Sequence, residues 1–295
     1  MTNILRETNF ETLGAPKKGK VRDIYDLGDR LLIVATDRLS AFDVVLPTGI
    51  EDKGKVLTKL SLFWFRQMED IIPNHIIETD VDRYPATLRR YADALRDRSM
   101  LVRKAKVLPV ECVVRGYLAG SGWSEYRKSG TVCGIRLPEG LKESSKLEKP
   151  VFTPSTKADE GHDLNISFEE AVKIIGDDYA RKVRDTSVAI YEKARTIGEK
   201  RGIIVADTKF EFGVIEGNVF LIDEVLTPDS SRFWSLKDYA PGKSQDSYDK
   251  QIVRDYLNTL DWPKTYPGPE LPPEVAKKTS ERYKEIYRIL TGKDL

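Results

Sequence analysis

The chain has 295 residues, 48 of them basic and 47 acidic, for a formal net charge of +1. That near-balance excludes the basic footprint of a nucleic-acid binder and a polybasic membrane patch. No apolar run approaches the roughly 18 residues of a membrane span, mean hydropathy is −0.42, and residues 1–7 lack the basic-then-apolar order of a signal peptide. A cytoplasmic protein is expected, with Cys112 and Cys133 as reduced thiols.

The first motif is Gly14-Ala15-Pro16-Lys17-Lys18-Gly19-Lys20-Val21-Arg22. Gly19 would let backbone N–H groups approach a phosphate, with Lys20 and Arg22 on one strand face above it; a basic surface turn is the competing reading. It is not a Walker A loop. Residues 21–27 and 31–36 flank Gly28-Asp29-Arg30 and predict a hairpin. Leu57, Leu60, Trp64, Met68 and Ile71 follow helical spacing, and Pro73 ends that helix. Residues 100–102 and 110–114 read as strands. In the second of these, Glu111, Val113 and Arg115 share one face. Arg115 followed by a turn through Gly120-Ser121-Gly122 predicts an anion cradle, or else a strand-end salt bridge. Residues 128–165 are too long for an ordinary connection and are expected to be functional or mobile.

Ser167 and Glu170 predict a capping box at the start of a helix, and a longer helix is expected over about 178–200, stopped at Gly202. The apolar run Ile203-Ile204-Val205-Ala206 feeds a strand in which Asp207, Lys209 and Glu211 share one face, with roughly 7 Å between successive Cα atoms of the row. Two carboxylates around an ammonium can hold a divalent metal beside phosphates; a solvated edge strand is the alternative. After a turn near Glu216-Gly217-Asn218 the return strand reaches Asp223 and Glu224. A two-residue loop at Gly217-Asn218 would set Glu224 opposite Glu211, and a three-residue loop would set Asp223 there. The turn Thr227-Pro228-Asp229-Ser230-Ser231-Arg232 carries another arginine. Lys250 and Arg254 share a helix face, and residues 263–273 read as a surface wrap before a final helix. His75 and His162 are isolated, and no Ser/His/Asp or Cys/His pattern is present.

Taken together, residues 108–121 and 205–213 resemble the signature segments of the SAICAR synthetase family. The resemblance extends through Gly19-Lys20-Val21-Arg22-Asp23-Ile24-Tyr25, residues 36–43, Lys53-Gly54-Lys55-Val56-Leu57, residues 152–158 and residues 223–234. It implies an α+β fold of two lobes, a small antiparallel β-rich lobe (1–106) and a larger α+β lobe (107–295), with ATP between them. The implied reaction joins L-aspartate to the carboxylate of carboxyaminoimidazole ribonucleotide, with ATP and Mg²⁺ required. The implied catalytic residues are Lys209 and Asp207. The implied nucleotide contacts are Gly19, Lys20, Arg22, Glu111, Lys209 and Glu211, with Glu211 and Asp223 on the metal. Arg115, Ser121 and Arg232 are expected on the ribonucleotide 5′-phosphate. Asp229, Lys250, Arg254, Ser40, Asp43 and Lys157 complete the expected substrate contacts. The resemblance leaves monomer or small homo-oligomer open. A kinase would also need a His-Arg-Asp loop and an Asp-Phe-Gly segment, which the chain lacks. A non-catalytic nucleotide-binding module would need no second anion site.

Overall fold

The computed structural model of the chain describes residues 4–157 and 164–295, so His162 lies outside the described residues. After a single 3₁₀ turn at Glu11–Leu13 come β1 (Lys17–Lys18), β2 (Arg22–Asp26) and β3 (Arg30–Ala35). A small hairpin of β4 (Ser40–Ala41) and β5 (Val44–Val45) precedes helix α1 (Lys53–Gln67). Then come β6 (Ile76–Glu78), the one-turn helices α2 (Ala86–Arg89) and α3 (Ala92–Leu95), and β7 (Ser99–Arg103). The strands β2 and β3 are the expected hairpin, paired from Arg22 against Ala35 to Asp26 against Leu31. Helix α1 buries Leu57, Leu60 and Trp64 of the predicted stripe; it ends at Gln67, so Met68 is buried just past it, and Ile71, expected in the helix before Pro73, lies in a turn and is only partly buried. The sheet runs antiparallel in the order β1-β2-β3-β7-β6.

The next stretch holds β8 (Lys106–Val107), β9 (Val110–Tyr117) and helix α4 (Gly120–Ser129). Four strands follow: β10 (Thr131–Val132), β11 (Ile135–Arg136), β12 (Lys146–Phe152) and β13 (Ser155–Thr156). The long segment expected to be functional or mobile therefore carries four strands in its described part. Helix α5 (Phe168–Ile175) opens with the reciprocal Ser167/Glu170 capping box, and α6 (Asp177–Glu199) leads into β14 (Ile203–Ile215), β15 (Asn218–Ile222) and β16 (Ser231–Ser235). Strand β14 is the spine of this second sheet. Strands β9, β16, β15 and β8 all pair with it, each antiparallel. Its apolar face buries Phe210 and Phe212 completely. The chain ends in α7 (Gln251–Asn258) and α8 (Pro273–Thr291).

Two compact units result. One comprises residues 1–63, 75–105 and 249–295, and the other residues 64–74 and 106–248. The resemblance implies one lobe over 107–295, whereas α7 and α8 fall in the first unit and residues 64–74 in the second. The reason is packing: Val253, Leu257 and Leu271 close a core with Leu39, Leu46 and Ile50. A separate core in that unit joins Tyr25, Leu32, Val34, Tyr84 and Leu101. Among the described residues no helix is long and apolar enough to cross a membrane.

Candidate active site

Antiparallel pairing sets Asp207 opposite Arg115 and Lys209 opposite Val113. Directly opposed residues project to the same side of a sheet. Thus the charged row of β14 and the Glu111-Val113-Arg115 row of β9 lie on one face, and Arg232 joins it from β16, opposite Asp207. Two clusters form along this face.

At one end Asp207 bridges two arginines. Its Oδ2 accepts from Arg115 Nη1 at 2.8 Å and from Arg232 Nη1 at 2.6 Å. Arg115 Nη2 donates to Ser121 Oγ at 2.9 Å, and Nε to Thr153 Oγ1 at 3.0 Å. Arg115 and Asp207 are each only 5% exposed at the side chain, against 24% for Arg232. Burial pulls the Arg115 guanidinium below its ordinary range, Asp207 opposes that, and Arg232 adds to it. Strand β9 continues two residues past Arg115 to Tyr117, so the arginine does not end the strand as expected. The Gly-Ser-Gly element is the first turn of α4. Two glycines there make room for the arginines: a Cβ at Gly120 would overlap the Arg232 guanidinium, and one at Gly122 would meet Arg115 Cδ at 3.0 Å. The expected trio Arg115, Ser121 and Arg232 is therefore gathered, with two guanidinium groups against a single carboxylate. Asp207 belongs to this cluster, and its charge is directed to the arginines instead of to a metal row.

At the other end Lys209 Nζ bonds Glu111 Oε1 and lies 3.9 Å from Glu211 Oε1, while Lys157 Nζ bonds Glu211 Oε2. Burial disfavours the Lys209 ammonium. Glu111, Glu211 and, more weakly, Asp223 outweigh it, and hold the group above the usual lysine range. Asp223 is thus close enough for its charge to act on Lys209, though not by the register expected. The turn is Glu216-Gly217, both at positive φ (50° and 78°), with Ile215 opposite Asn218. Such a two-residue turn matches the strands' twist. It sets Ile222 opposite Glu211, which corrects both expected pairings, with Asp223 and with Glu224. Strand β15 stops at Ile222, and Asp223 turns left-handed (φ 64°). That turn breaks the alternation the parity argument relied on. Glu224 instead accepts from Thr227 Oγ1 at 2.6 Å. The same Thr227 Oγ1 caps the turn by accepting from the Asp229 N–H at 3.2 Å.

The first unit's candidates divide differently from the expectation. Gly19-Lys20-Val21 is the turn of the β1/β2 hairpin, closed by Gly19 N–H donating to Arg22 O at 2.7 Å. Lys20 and Arg22 therefore do not share a strand face. Lys20 stands half-exposed and pairs with Asp43, while Arg22 is buried. Asp43 and Phe42 form the left-handed tip of the β4/β5 hairpin. Lys250 precedes α7, and its Nζ donates to Ser40 O at 3.3 Å. Arg254 lies in the helix and faces Asp249 at 3.7 Å.

Both cysteines are free and buried. Burial pushes the Cys112 thiol well up and that of Cys133 to about 12, so neither is a nucleophile. Sequence reasoning missed Thr153 and Ser155, although their alternation with Lys157 was visible. Ser155 Oγ donates to Glu111 Oε2 at 3.4 Å.

Fold and face together define an α+β protein that carries a cationic and an acidic cluster on one sheet face. The family model for SAICAR synthetase matches residues 16–269. The phosphoribosylaminoimidazole-succinocarboxamide synthase of Thermodesulfovibrio yellowstonii is 61% identical over 292 residues, covering 99% of this chain and all of the relative. The structure of the Saccharomyces cerevisiae SAICAR synthase complexed with SAICAR superposes with a TM-score of 0.90 at 45% identity, covering 99% of both chains. A SAICAR synthetase in complex with ADP superposes with a TM-score of 0.71 at 27% identity, covering 95% of this chain and 99% of that one. The chain belongs to the SAICAR synthetase family. It is an ATP-dependent ligase that attaches L-aspartate to a ribonucleotide carboxylate in purine biosynthesis.

Proposed function

We propose that the two clusters divide the reaction between them. A carboxylate is a poor electrophile, since its leaving group would be oxide. Transfer of the γ-phosphoryl group of ATP to a carboxylate oxygen releases ADP and gives an acyl phosphate. The aspartate amine then attacks the carbonyl carbon, phosphate leaves, and the nitrogen gives up a proton. Most of the protein's part is positioning and charge stabilisation. The observation that carries the reading is the opposed charge of the two ends of one face. Arg115 and Arg232 outnumber Asp207 at one, and Glu111, Glu211 and Asp223 outnumber Lys209 and Lys157 at the other.

The arginine end, with Ser121, holds the 5′-phosphate of carboxyaminoimidazole ribonucleotide. Lys209 contacts the transferring phosphoryl group, oriented by Glu111. Glu211 and Asp223 are the carboxylates for Mg²⁺. Among the described residues no three His, Cys, Asp or Glu side chains form a metal cage. Two carboxylates nevertheless suit Mg²⁺, which takes one or two from a protein and fills its shell with phosphate oxygens and water. Bound there, the ion would neutralise phosphate charge. Lys157 and Asp229 are proposed as further substrate contacts. Within the first unit, Gly19, Lys20 and Arg22 are proposed as nucleotide contacts, and Ser40, Asp43, Lys250 and Arg254 as substrate contacts. The cytoplasm is the proposed compartment.

The test is ADP release with each substrate omitted in turn. Release should require both L-aspartate and carboxyaminoimidazole ribonucleotide. ADP formation with a sugar or protein acceptor, and none with these two, would overturn the reading.

A further inference from the structure

Residues 153–157 run along the open edge of β9 and touch the charged face at every second side chain. Thr153 reaches Arg115, Ser155 reaches Glu111, and Lys157 reaches Glu211. The backbone fixes this spacing. Thr153 N–H donates to Val113 O at 2.8 Å, and Ser155 is paired with Glu111 in β13. Thr153 is fully buried and Ser155 is 5% exposed.

We propose that this segment is a positioning strap, and that Thr153 and Ser155 are positioning residues acting separately on the two ends of the site. The inference rests on the assignment of those ends given above. Thr153 acts through Arg115. A hydroxyl has one donor and two acceptor lone pairs. The Thr153 hydroxyl hydrogen points to Val113 O at 3.4 Å, which leaves oxygen lone pairs for Arg115 Nε. With Nε held by Thr153 and Nη1 by Asp207, the guanidinium plane is fixed, and Nη2 is set beside Ser121. Ser155 acts through Glu111. One oxygen of that carboxylate takes the Ser155 hydroxyl and the other takes Lys209 Nζ. The serine therefore sets where the lysine's partner stands. Its bond is the longer of the two and its effect is the smaller.

Residues two apart on one strap should then disturb different substrates, an outcome that general loosening of the fold does not give. Thr153→Val keeps the shape and removes the hydroxyl. It should raise KM for the ribonucleotide about tenfold, the scale of one hydrogen bond to a charged group, and leave KM for ATP within about twofold. Thr153→Ser should restore most of the loss. Ser155→Ala should do the reverse, raising KM for ATP or lowering kcat about threefold with ribonucleotide KM unchanged. Melting temperatures are recorded for every variant. If Thr153→Val does not fold, Thr153→Ala, which also removes the hydroxyl, takes its place in the comparison with Ser155→Ala. Equal effects of both variants on both substrates, or no change in ribonucleotide KM in folded Thr153→Val, would overturn the strap. Arg115→Ala is measured alongside. If it leaves ribonucleotide KM unchanged, the assignment of the ends fails; if it raises KM and Thr153→Val does not, only the strap fails.

Discussion

The arginine end and the lysine–glutamate end stand on the same strand, and roughly 13 Å separates Asp207 from Glu211 by strand rise. They are built differently. The first is closed: Arg115 and Asp207 are almost without solvent, and the arginine's planar fork is bound at each of its three nitrogens. The second is more open: the Lys209 and Lys157 side chains are 34% and 37% exposed. Guanidinium recognises anions through fixed geometry, and ammonium acts as a mobile point charge on a flexible stem. A site that grips a phosphate which does not react gains from the first. A site that follows a phosphoryl group in transfer gains from the second.

Asp207→Asn tests the closed end most severely. It leaves two guanidinium groups facing one another without a counter-charge, and should cost about 3 kcal/mol of stability, as breaking a buried pair does. A melting temperature within a degree of the parent would show that the bridge contributes nothing. Asp223→Asn probes the open end, where turnover at saturating substrates should fall about 100-fold, the scale of losing a charge-stabilising group, with little thermal effect. Wild-type kcat in this variant would remove Asp223 from the reaction. Arg115→Ala should raise KM for the ribonucleotide roughly 30-fold through loss of a charge-assisted contact. The rise should fall on that KM, since the 5′-phosphate does not change during the reaction. A rise in ATP KM instead would invert the assignment of the two ends.

The smallest effect is an expected constancy. Lys209 has its pKa raised in the folded state, so its stabilising charge is fully present below the unfolded lysine value of about 10.4. It is lost only as pH climbs through the higher folded value. The difference in melting temperature between the parent and Lys209→Met should therefore be flat from about pH 7 to about 9.5. A slope across that window would mean that the carboxylates do not hold the ammonium as described.

Much of this could be read from residue order. Alternation set Asp207, Lys209 and Glu211 on one face of their strand and Glu111 and Arg115 on one face of theirs, because side-chain direction in a strand is a local property. The Ser167 capping box and the α1 stripe were legible for the same reason, depending on residues three or four apart. The pairing of Glu211 was not legible. Its outcome hung on whether Asn218 belonged to the turn or to β15, a shift of a single residue. The left-handed turn at Asp223 then made parity the wrong guide. Lys20 and Arg22 misled in a similar way, since the chain reverses between them.

The sequence by itself determined the family, through motif segments whose residue order resembles it, and the chemistry and strand face of each side chain, which follow from residue identity and alternation. Tertiary structure alone decided that Asp207 serves two arginines, that Thr153 and Ser155 reach the site, and that residues 249–295 share a core with Leu39 and Ile50. Each of these joins residues tens to hundreds of positions apart, and only the packing of one element on another can select such partners.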